Sequence, residues 1–510
     1  MGNRFHFLKK KKSNGIGDDF VLEEYDIYDE FTLAKAPSII HFNRDIIVSN
    51  VKINPYEEYK VIKSIGEGTF GKVELVEHLI TGKIRAMKIL KKLNMVQRSN
   101  EASVYNELNI LKKIDHQNVV KVYEFYSDAQ NYYLITEYCE GGDLYECTKN
   151  EHLSEVQVAC IMYQILVALN HIHKMKIMHR DLKPENILVY KKEEDGLYRI
   201  KICDFGTSHL FKCGEKEKNI MGSSYYIAPE VLNKNYNFKC DLWSCGVIMY
   251  VLLTKKVPFA GQGDKEIRKS IIKRKYNHEP LENYSQYIQE LVKALLEKNY
   301  EKRINAEQAL TFQLFKAYKC KETINKIDLK DMKKYIDNIK KYKKGNAFRE
   351  TVMSYLIHNC DLSEIDDILK LFNTFNHNQS GKIGFREFYD GLCQITEKKE
   401  NEDEVRQIFL NVDTNKNNYI EQEEFVKAAV NKKMFICEKT FRFAFNFFDP
   451  KKSGFITVKD ITHLFKDSCE KDADLPTELN KLLDSIDINK NGKIDFEEFS
   501  NFMKNFLEQL

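Results

Sequence analysis

The chain has 510 residues, room for about three domains at roughly 150 residues each. Its 79 Lys+Arg against 76 Asp+Glu leave a formal net charge of +3. That balance argues against a dedicated nucleic-acid binder, a class marked by strong basic excess. With 43 % hydrophobic and 12 % aromatic residues, the chain has enough apolar material to bury cores, which excludes wholesale disorder.

The N-terminus reads Met1-Gly2-Asn3-Arg4-Phe5-His6 and lacks the apolar core of a signal peptide. Gly2 after Met1 is the minimal start for N-myristoylation, but the usual motif has Ser or Thr where His6 stands. Lys9, Lys10, Lys11 and Lys12 supply the polybasic second signal that a peripheral membrane contact needs beside one acyl chain. The alternative is a solvated basic tail. Residues 1–58 are therefore read as a basic extension with an acylation-type start, its apolar clusters docked in part on the next domain. No uninterrupted apolar run reaches the roughly 18–20 residues of a membrane span. The 12 cysteines run from Cys139 to Cys469 without a CxxC spacing. They read as reduced, packed thiols of a cytoplasmic protein.

From Tyr59 to Lys316 strand-like and helix-like stretches alternate. The strand Tyr59–Ile65 runs into Gly66-Glu67-Gly68-Thr69-Phe70-Gly71-Lys72-Val73. Its glycines let the backbone approach phosphate oxygens and offer NH donors. Alone this GxGxxG is weak, because dinucleotide folds use it too. Next comes Ala86-Met87-Lys88 on an apolar strand, where the lysine can reach nucleotide phosphates. Glu107 lies in a helical pattern and can pair with it. His179-Arg180-Asp181-Leu182-Lys183-Pro184-Glu185-Asn186, Asp204-Phe205-Gly206 and Ala228-Pro229-Glu230 follow in order.

This ordered set resembles a eukaryotic protein kinase and covers about half the chain. The resemblance implies a bilobal fold and transfer of the ATP γ-phosphoryl group, which needs positioning and charge neutralisation more than covalent help. It implies Asp181 as acceptor of the substrate hydroxyl proton, Lys183 as a neutralising cation, and Asn186 and Asp204 as Mg²⁺ holders. Ile65, Gly66, Gly68, Gly71, Val73, Ala86 and Lys88, with Glu107 behind the lysine, would form the ATP site. Thr136 would be the gatekeeper, and Glu137 and Cys139 would belong to the adenine-binding hinge. Glu230 would pair with Arg303, and Trp243, the only tryptophan, would be core. Lys183 after the Asp resembles Ser/Thr kinases. Glu215 and Glu217 could give Arg180 its anionic partner without phosphorylation, while Ser223 and Ser224 are alternative phosphosites. Thr207-Ser208 stand where the family usually has Leu-Ser. A pseudokinase would lack Lys88, Asp181 or Asp204, and all are present.

From Asp361 to Leu510 a helix–loop–helix pattern repeats four times, with loops opening at Asn376, Asp413, Asp449 and Asp487. An EF-hand loop needs oxygen ligands at positions 1, 3, 5, 7, 9 and 12, the seventh from the main chain, and Gly at 6. The fourth loop fits at every position, with Asp487, Asn489, Asn491, Lys493 (main chain), Asp495 and Glu498. The second offers Asp413, Asn415, Asn417, Tyr419 (main chain), Glu421 and Glu424, with Asn418 replacing Gly; Asn tolerates the left-handed conformation. The first has Glu387 as its only carboxylate ligand, and the third puts Lys451 at position 3. The first is expected to be weak and the third weak or empty. Ile383, Ile420, Ile456 and Ile494 at each eighth position suit the short strand pairing between loops.

Between these domains, Leu329, Met332, Ile336 and Ile339 recur at helical spacing. Seven lysines between Lys330 and Lys344 decorate that face. A basic amphipathic helix reads as a calmodulin-type target, and with no acceptor hydroxyl it could block a substrate groove. Phe348, Val352, Tyr355 and Leu356 add a second apolar face toward the EF-hands.

Kinase, junction and four EF-hands in one chain resemble the calcium-dependent protein kinases of plants and protists. The expected class is α+β: a bilobal kinase (59–316), an autoinhibitory junction (317–360) and an all-α calmodulin-like domain in two lobes (361–510). In that family the junction inhibits at rest and Ca²⁺ remodels it. The reading is a Ca²⁺-activated Ser/Thr kinase using ATP, Mg²⁺ and Ca²⁺. It would be a cytoplasmic monomer, with protein substrates near basic residues that meet Glu185 and Asp143. A calcium-dependent scaffold without catalysis is the rival, as is a kinase with purely structural EF-hands. Residues 361–510 carry a net charge of −8 and residues 1–360 a net of +11, an asymmetry suited to an intramolecular clasp.

Overall fold

The computed structural model describes residues 5–9, 21–25, 54–68, 71–92, 107, 109–212, 214, 216–345, 347–377, 380–465 and 486–508. In the N-terminal unit, β1 (Phe5–Lys9) pairs antiparallel with β2 (Val21–Tyr25), Phe5 opposite Tyr25. The sequence reading named no strand there. The apolar clusters at 39–42 and 45–48 lie outside the described residues.

The second unit, Ile40–Leu510, holds everything else. Its first lobe is an antiparallel sheet of five strands. These are β3 (Tyr59–Gly68), β4 (Gly71–His78), β5 (Ile84–Lys91), β6 (Val122–Ser127) and β7 (Asn131–Glu137), in the order β3-β4-β5-β7-β6. The turn before β7 is closed by Asp128, whose Oδ1 accepts the NH groups of Gln130 and Asn131 at 2.7 Å each.

The second lobe is helical. Ser154 and Gln157 form a capping box that starts the helix Glu155–Lys174. This helix is long and apolar enough to cross a membrane, but 78 % of its apolar window is buried inside the protein. It is the core of the lobe. Beside it lies Cys240–Thr254, buried on nearly every face, with Trp243 stacked on Phe259 at 5.4 Å. The expected Glu230–Arg303 pair is present, Arg303 Nη2 donating to Glu230 Oε2 at 3.0 Å.

The junction helix Leu329–Lys341 is capped by Asp328. Ile336 and Ile339 are buried while Leu329 is 48 % exposed, so the stripe engages by its C-terminal half. A second junction helix, Ala347–His358, follows. Asp361 caps the next helix, Leu362–Phe375. Its loops pair as the isoleucine pattern predicts: Ile383 lies opposite Ile420, and Ile456 and Ile494 exchange main-chain hydrogen bonds of 2.8 and 2.9 Å.

Candidate active site and calcium loops

The glycine turn between β3 and β4 brings main chain close to main chain. A Cβ on Gly71 would sit 1.7 Å from the Ile89 carbonyl oxygen. Val73 lies opposite Lys88 in the β4–β5 register. Lys88 Nζ stands 3.0 Å from Glu107 Oε1 and 3.1 Å from Asp204 Oδ1. Burial alone would lower the lysine pKa, but Glu107 and Asp204 outweigh it and hold the value above the ordinary one. Lys88 in turn holds the Asp204 carboxyl below its usual range, against a burial effect of opposite sign.

The catalytic loop hangs from one buried carboxylate. Asp241 Oδ2 accepts the His179 NH and Oδ1 the Arg180 NH, each at 2.9 Å. Burial would raise the Asp241 pKa, yet His173, His179 and these main-chain donors keep it low. Arg180 and Asp204 both hold left-handed backbone, at φ 71° and 61°. Strain of this kind persists where the surroundings fix it. For Arg180 those surroundings are the bonds to Asp241 and to the Thr207 carbonyl, which accepts Nε at 2.6 Å. The role of Asp241 as anchor is visible only in three dimensions.

Asp181 is oriented from three sides. Its Oδ1 accepts the Ser223 NH at 2.8 Å and the Ser223 hydroxyl at 2.9 Å. Its Oδ2 accepts Asn186 Nδ2 at 3.2 Å and lies 3.3 Å from Lys183 Nζ. Lys183 also donates to Ser223 Oγ at 3.1 Å. Ser223, named in the sequence as a phosphosite, is thus engaged in positioning Asp181 and Lys183. Because Nδ2 of Asn186 serves Asp181, its Oδ1 is left for a cation beside Asp204, a hard-oxygen pair that fits Mg²⁺. Ile65 is 39 % exposed, and Val73 and Ala86 are half-buried beside it on the strands of the cleft. Gly66 and Gly68 lie on β3 next to Glu67 and Gly71. At the hinge, Glu137 spends its side chain on the Lys121 NH at 2.6 Å and Lys201 Nζ at 2.7 Å. Cys139 is buried, and its carbonyl accepts the Gly142 NH at 3.3 Å.

Loops two and four share one hydrogen-bond pattern. Asp413 accepts the NH groups of Asn417 and Asn418 at 3.1 and 2.9 Å. Asp487 accepts those of Asn491 and Gly492 at 3.1 and 2.6 Å. Asn415 and Asn489 each accept from the fifth-position NH, at 3.0 and 3.1 Å. Asn417 and Asn491 accept from Tyr419 and Lys493 at 2.9 Å. Glu424 and Glu498 fold back to the third-position NH at 3.1 and 3.2 Å. Asn418 takes φ 65° and Gly492 φ 76°, as the sixth position requires. The converging amide and carboxylate oxygens fit Ca²⁺. In loop three, Lys451 Nζ lies 3.9 Å from Asp460 Oδ1, an ammonium turned toward the terminal carboxylate. In loop one, Asn376 Oδ1 accepts the Ser380 NH at 3.1 Å.

The calcium lobes hold both junction helices. Asn338 Nδ2 donates to the Ala429 carbonyl at 2.8 Å, Lys340 pairs with Glu400 at 2.9 Å, and Lys344 reaches the Thr414 carbonyl at 2.9 Å. Phe348 packs on Phe448 at 5.0 Å, and Tyr355 stacks on Phe443 and Phe447 at 5.0 and 4.1 Å. The expected second face is therefore used. The following linker is gripped by the outer side of β5. Lys83 and Arg85 donate to the Asn359 carbonyl at 3.1 and 3.2 Å, Arg85 pairs with Asp361, and its guanidinium lies 3.9 Å over Tyr123. Nothing in the spacing of Lys83 and Arg85 signalled this contact.

A phosphate-binding turn, a Lys–Glu–Asp cluster and an oriented carboxylate, joined to paired oxygen-rich loops, define a protein kinase carrying its own calcium module. The family described as "Protein kinase domain" matches residues 59–315, and "EF-hand domain pair" matches 365–430 and 438–504. The chain is 33 % identical over 474 residues to calcium-dependent protein kinase 4 of Plasmodium berghei (strain Anka), covering 89 % of this chain and 87 % of that protein. It is 34 % identical over 470 residues to calcium-dependent protein kinase 4 of Plasmodium falciparum (isolate 3D7), with the same coverage. It is 32 % identical over 475 residues to calcium-dependent protein kinase 5 of that isolate, covering 91 % and 81 %. The chain belongs to the calcium-dependent protein kinase family.

Proposed function

We propose that the protein phosphorylates Ser and Thr in protein substrates, is held inactive at rest by its junction, and is released when loops two and four take up Ca²⁺. The observation that carries the catalytic part is the joint engagement of Asp181 by Ser223, Asn186 and Lys183.

Asp181 takes the proton as the substrate oxygen bonds to the γ-phosphorus and the bond from that phosphorus to the bridging oxygen breaks. ADP then leaves. Lys183 balances charge on the moving group, and Lys88 holds the phosphates from the other side. Asn186 and Asp204 would hold Mg²⁺, which would supply further neutralisation of the phosphates. Asp143, the cap of the helix Leu144–Thr148, and the exposed Glu185 support a preference for basic substrates. We propose the domain limits 59–316, 317–360 and 361–510, the last of them supported by Asp361 as a helix cap.

Inhibition and release are supported by the capture of Ile336 and Ile339 against the calcium lobe. A junction face buried there is unavailable to a substrate groove. The oxygens of loops two and four would hold Ca²⁺, which would activate to the extent that it binds this arrangement better than the resting one. We also propose a monomer in the cytoplasm, anchored peripherally through Gly2 and Lys9–Lys12, with no nucleic-acid role.

Transfer of ³²P to a basic Ser peptide, with Ca²⁺ and with chelator, tests the reading. Ca²⁺-stimulated transfer supports it. Equal transfer in both would overturn the regulation, and none in either would favour a non-catalytic scaffold.

A further inference from the structure

Away from the ATP site, the helical lobe contains a cleft of about 220 Å³. The end of the helix Glu155–Lys174, the start of the activation segment, residues 237–238 and residues 305–307 wall it. The pocket where the hinge side meets the calcium domain measures about 50 Å³.

The chemistry of this cleft is one-sided. Lys174, Lys176, Lys212 and Lys216 line it, and all four are exposed. Glu307 is the one carboxylate among its described lining residues and is 3.3 Å from Lys174. Asn170, Asn237 and Asn305 add amide groups. The floor is aromatic: Phe211 and Phe238 stack at 5.2 Å with 15° between their planes, and His173 lies 5.0 Å from Phe238. His173 is 8 % exposed; its Nε2 is 2.8 Å from Asp241, and its Nδ1 has no hydrogen-bond partner among the described residues. A concave surface with an apolar floor and a few convergent polar groups has the makeup common to small-molecule sites.

We propose that this cleft is a second, non-catalytic site for a nucleoside polyphosphate, its base on the Phe211–Phe238 floor and its phosphates on the lysine rim. Aromatic faces hold bases without regard to sequence, and clustered ammonium groups hold phosphate oxygens. A ring-free polyphosphate would satisfy the rim alone, and an uncharged aromatic the floor alone. The cleft also reaches the chemistry. Its wall residue His173 bonds Asp241, which carries the catalytic loop, and the Phe211 NH donates to the Lys176 carbonyl at 2.9 Å. Occupancy therefore bears on the activation segment and the catalytic loop.

The test uses the full chain with its ATP site saturated by a tight adenine-competitive inhibitor. Radiolabelled ATP is then titrated by equilibrium dialysis, with inorganic tripolyphosphate in a parallel arm. One further equivalent of ATP is expected on the wild type, weakened about tenfold or more in K176E/K212E, whose exposed side chains leave folding unchanged. Tripolyphosphate is expected to bind more weakly than ATP. No further equivalent on the wild type would overturn the proposal, as would unchanged binding to K176E/K212E. Equal binding of tripolyphosphate and ATP would overturn the role of the aromatic floor and with it the nucleotide assignment.

Discussion

Arg180 Nη1 of the catalytic loop lies 3.5 Å from Glu217 Oε2 of the activation segment, with side chains 8 % and 13 % exposed. His209 Nε2 is 3.3 Å from the same oxygen. Burial alone would raise the Glu217 pKa, but the NH groups of Lys218 and Asn219, with His209 and Arg180, keep its carboxyl below the usual range. A fixed carboxylate thus stands where many kinases need a phosphate.

Two outcomes are expected from that pair. Phosphatase treatment should leave Ca²⁺-stimulated activity near normal. Glu217→Ala should lower kcat by about fivefold, near 1 kcal/mol, for a largely buried pair. Steady-state kinetics on the treated and mutant enzymes checks both, and abolished activity after treatment would contradict the first.

The Lys88–Asp204 pair carries a pH signature. Asp204 is depressed below its ordinary value, so its contribution to stability is complete above the unfolded carboxyl pKa near 3.9. That contribution is lost as pH falls through the lower folded value. The melting-temperature difference between wild type and Asp204→Asn should be flat from about pH 8 to about pH 5 and shrink only below about pH 4. Lys88→Met should cut kcat at least about 100-fold, because a charge placed at the phosphates is removed.

Calcium stoichiometry should separate the loops. Two tight equivalents are expected by calorimetry, with one lost in Asp413→Ala and one in Asp487→Ala. Lys451→Asp should add a third, since it removes the ammonium that lies toward Asp460 and supplies a ligand oxygen. Unchanged stoichiometry in both alanine variants would refute the assignment.

Capture of the junction can be broken at one residue. Ile336 is 2 % exposed against the calcium lobe. Ile336→Asp would bury a carboxylate there and cost about 3 kcal/mol or more. The expected enzyme binds Ca²⁺ yet stays inactive on a basic peptide; full Ca²⁺ stimulation would show that this contact does not matter to release.

Much of this was legible in the chain. The glycine turn, Lys88, Asp181, Asp204 and the two complete loops are local motifs, where spacing alone dictates chemistry. Asn418 was readable as a left-handed residue because Asn at the sixth position leaves little else. Asp241, Ser223 and the Arg85–Asp361 grip were not legible. Their roles come from residues 40 to 276 positions apart meeting in space, and no period or spacing encodes such meetings. The junction stripe was read correctly at Ile336 and Ile339, but Leu329 faces solvent, since hydrophobic period gives a face and not where its partner ends. The helix Glu155–Lys174 shows the reverse: its apolar length is explained by burial in the lobe.

Arg85 and Lys88 stand three residues apart on β5, and alternation along a strand sends an odd separation to opposite faces. The outer face grips the linker Asn359–Asp361, and the inner one carries Lys88 to Glu107 and Asp204. Sensor and catalyst therefore share a single strand and a single polypeptide. Their encounter is unimolecular, so the response to a calcium pulse should be insensitive to how dilute the enzyme is. A cell holding few copies would obtain the same fractional activation as one holding many.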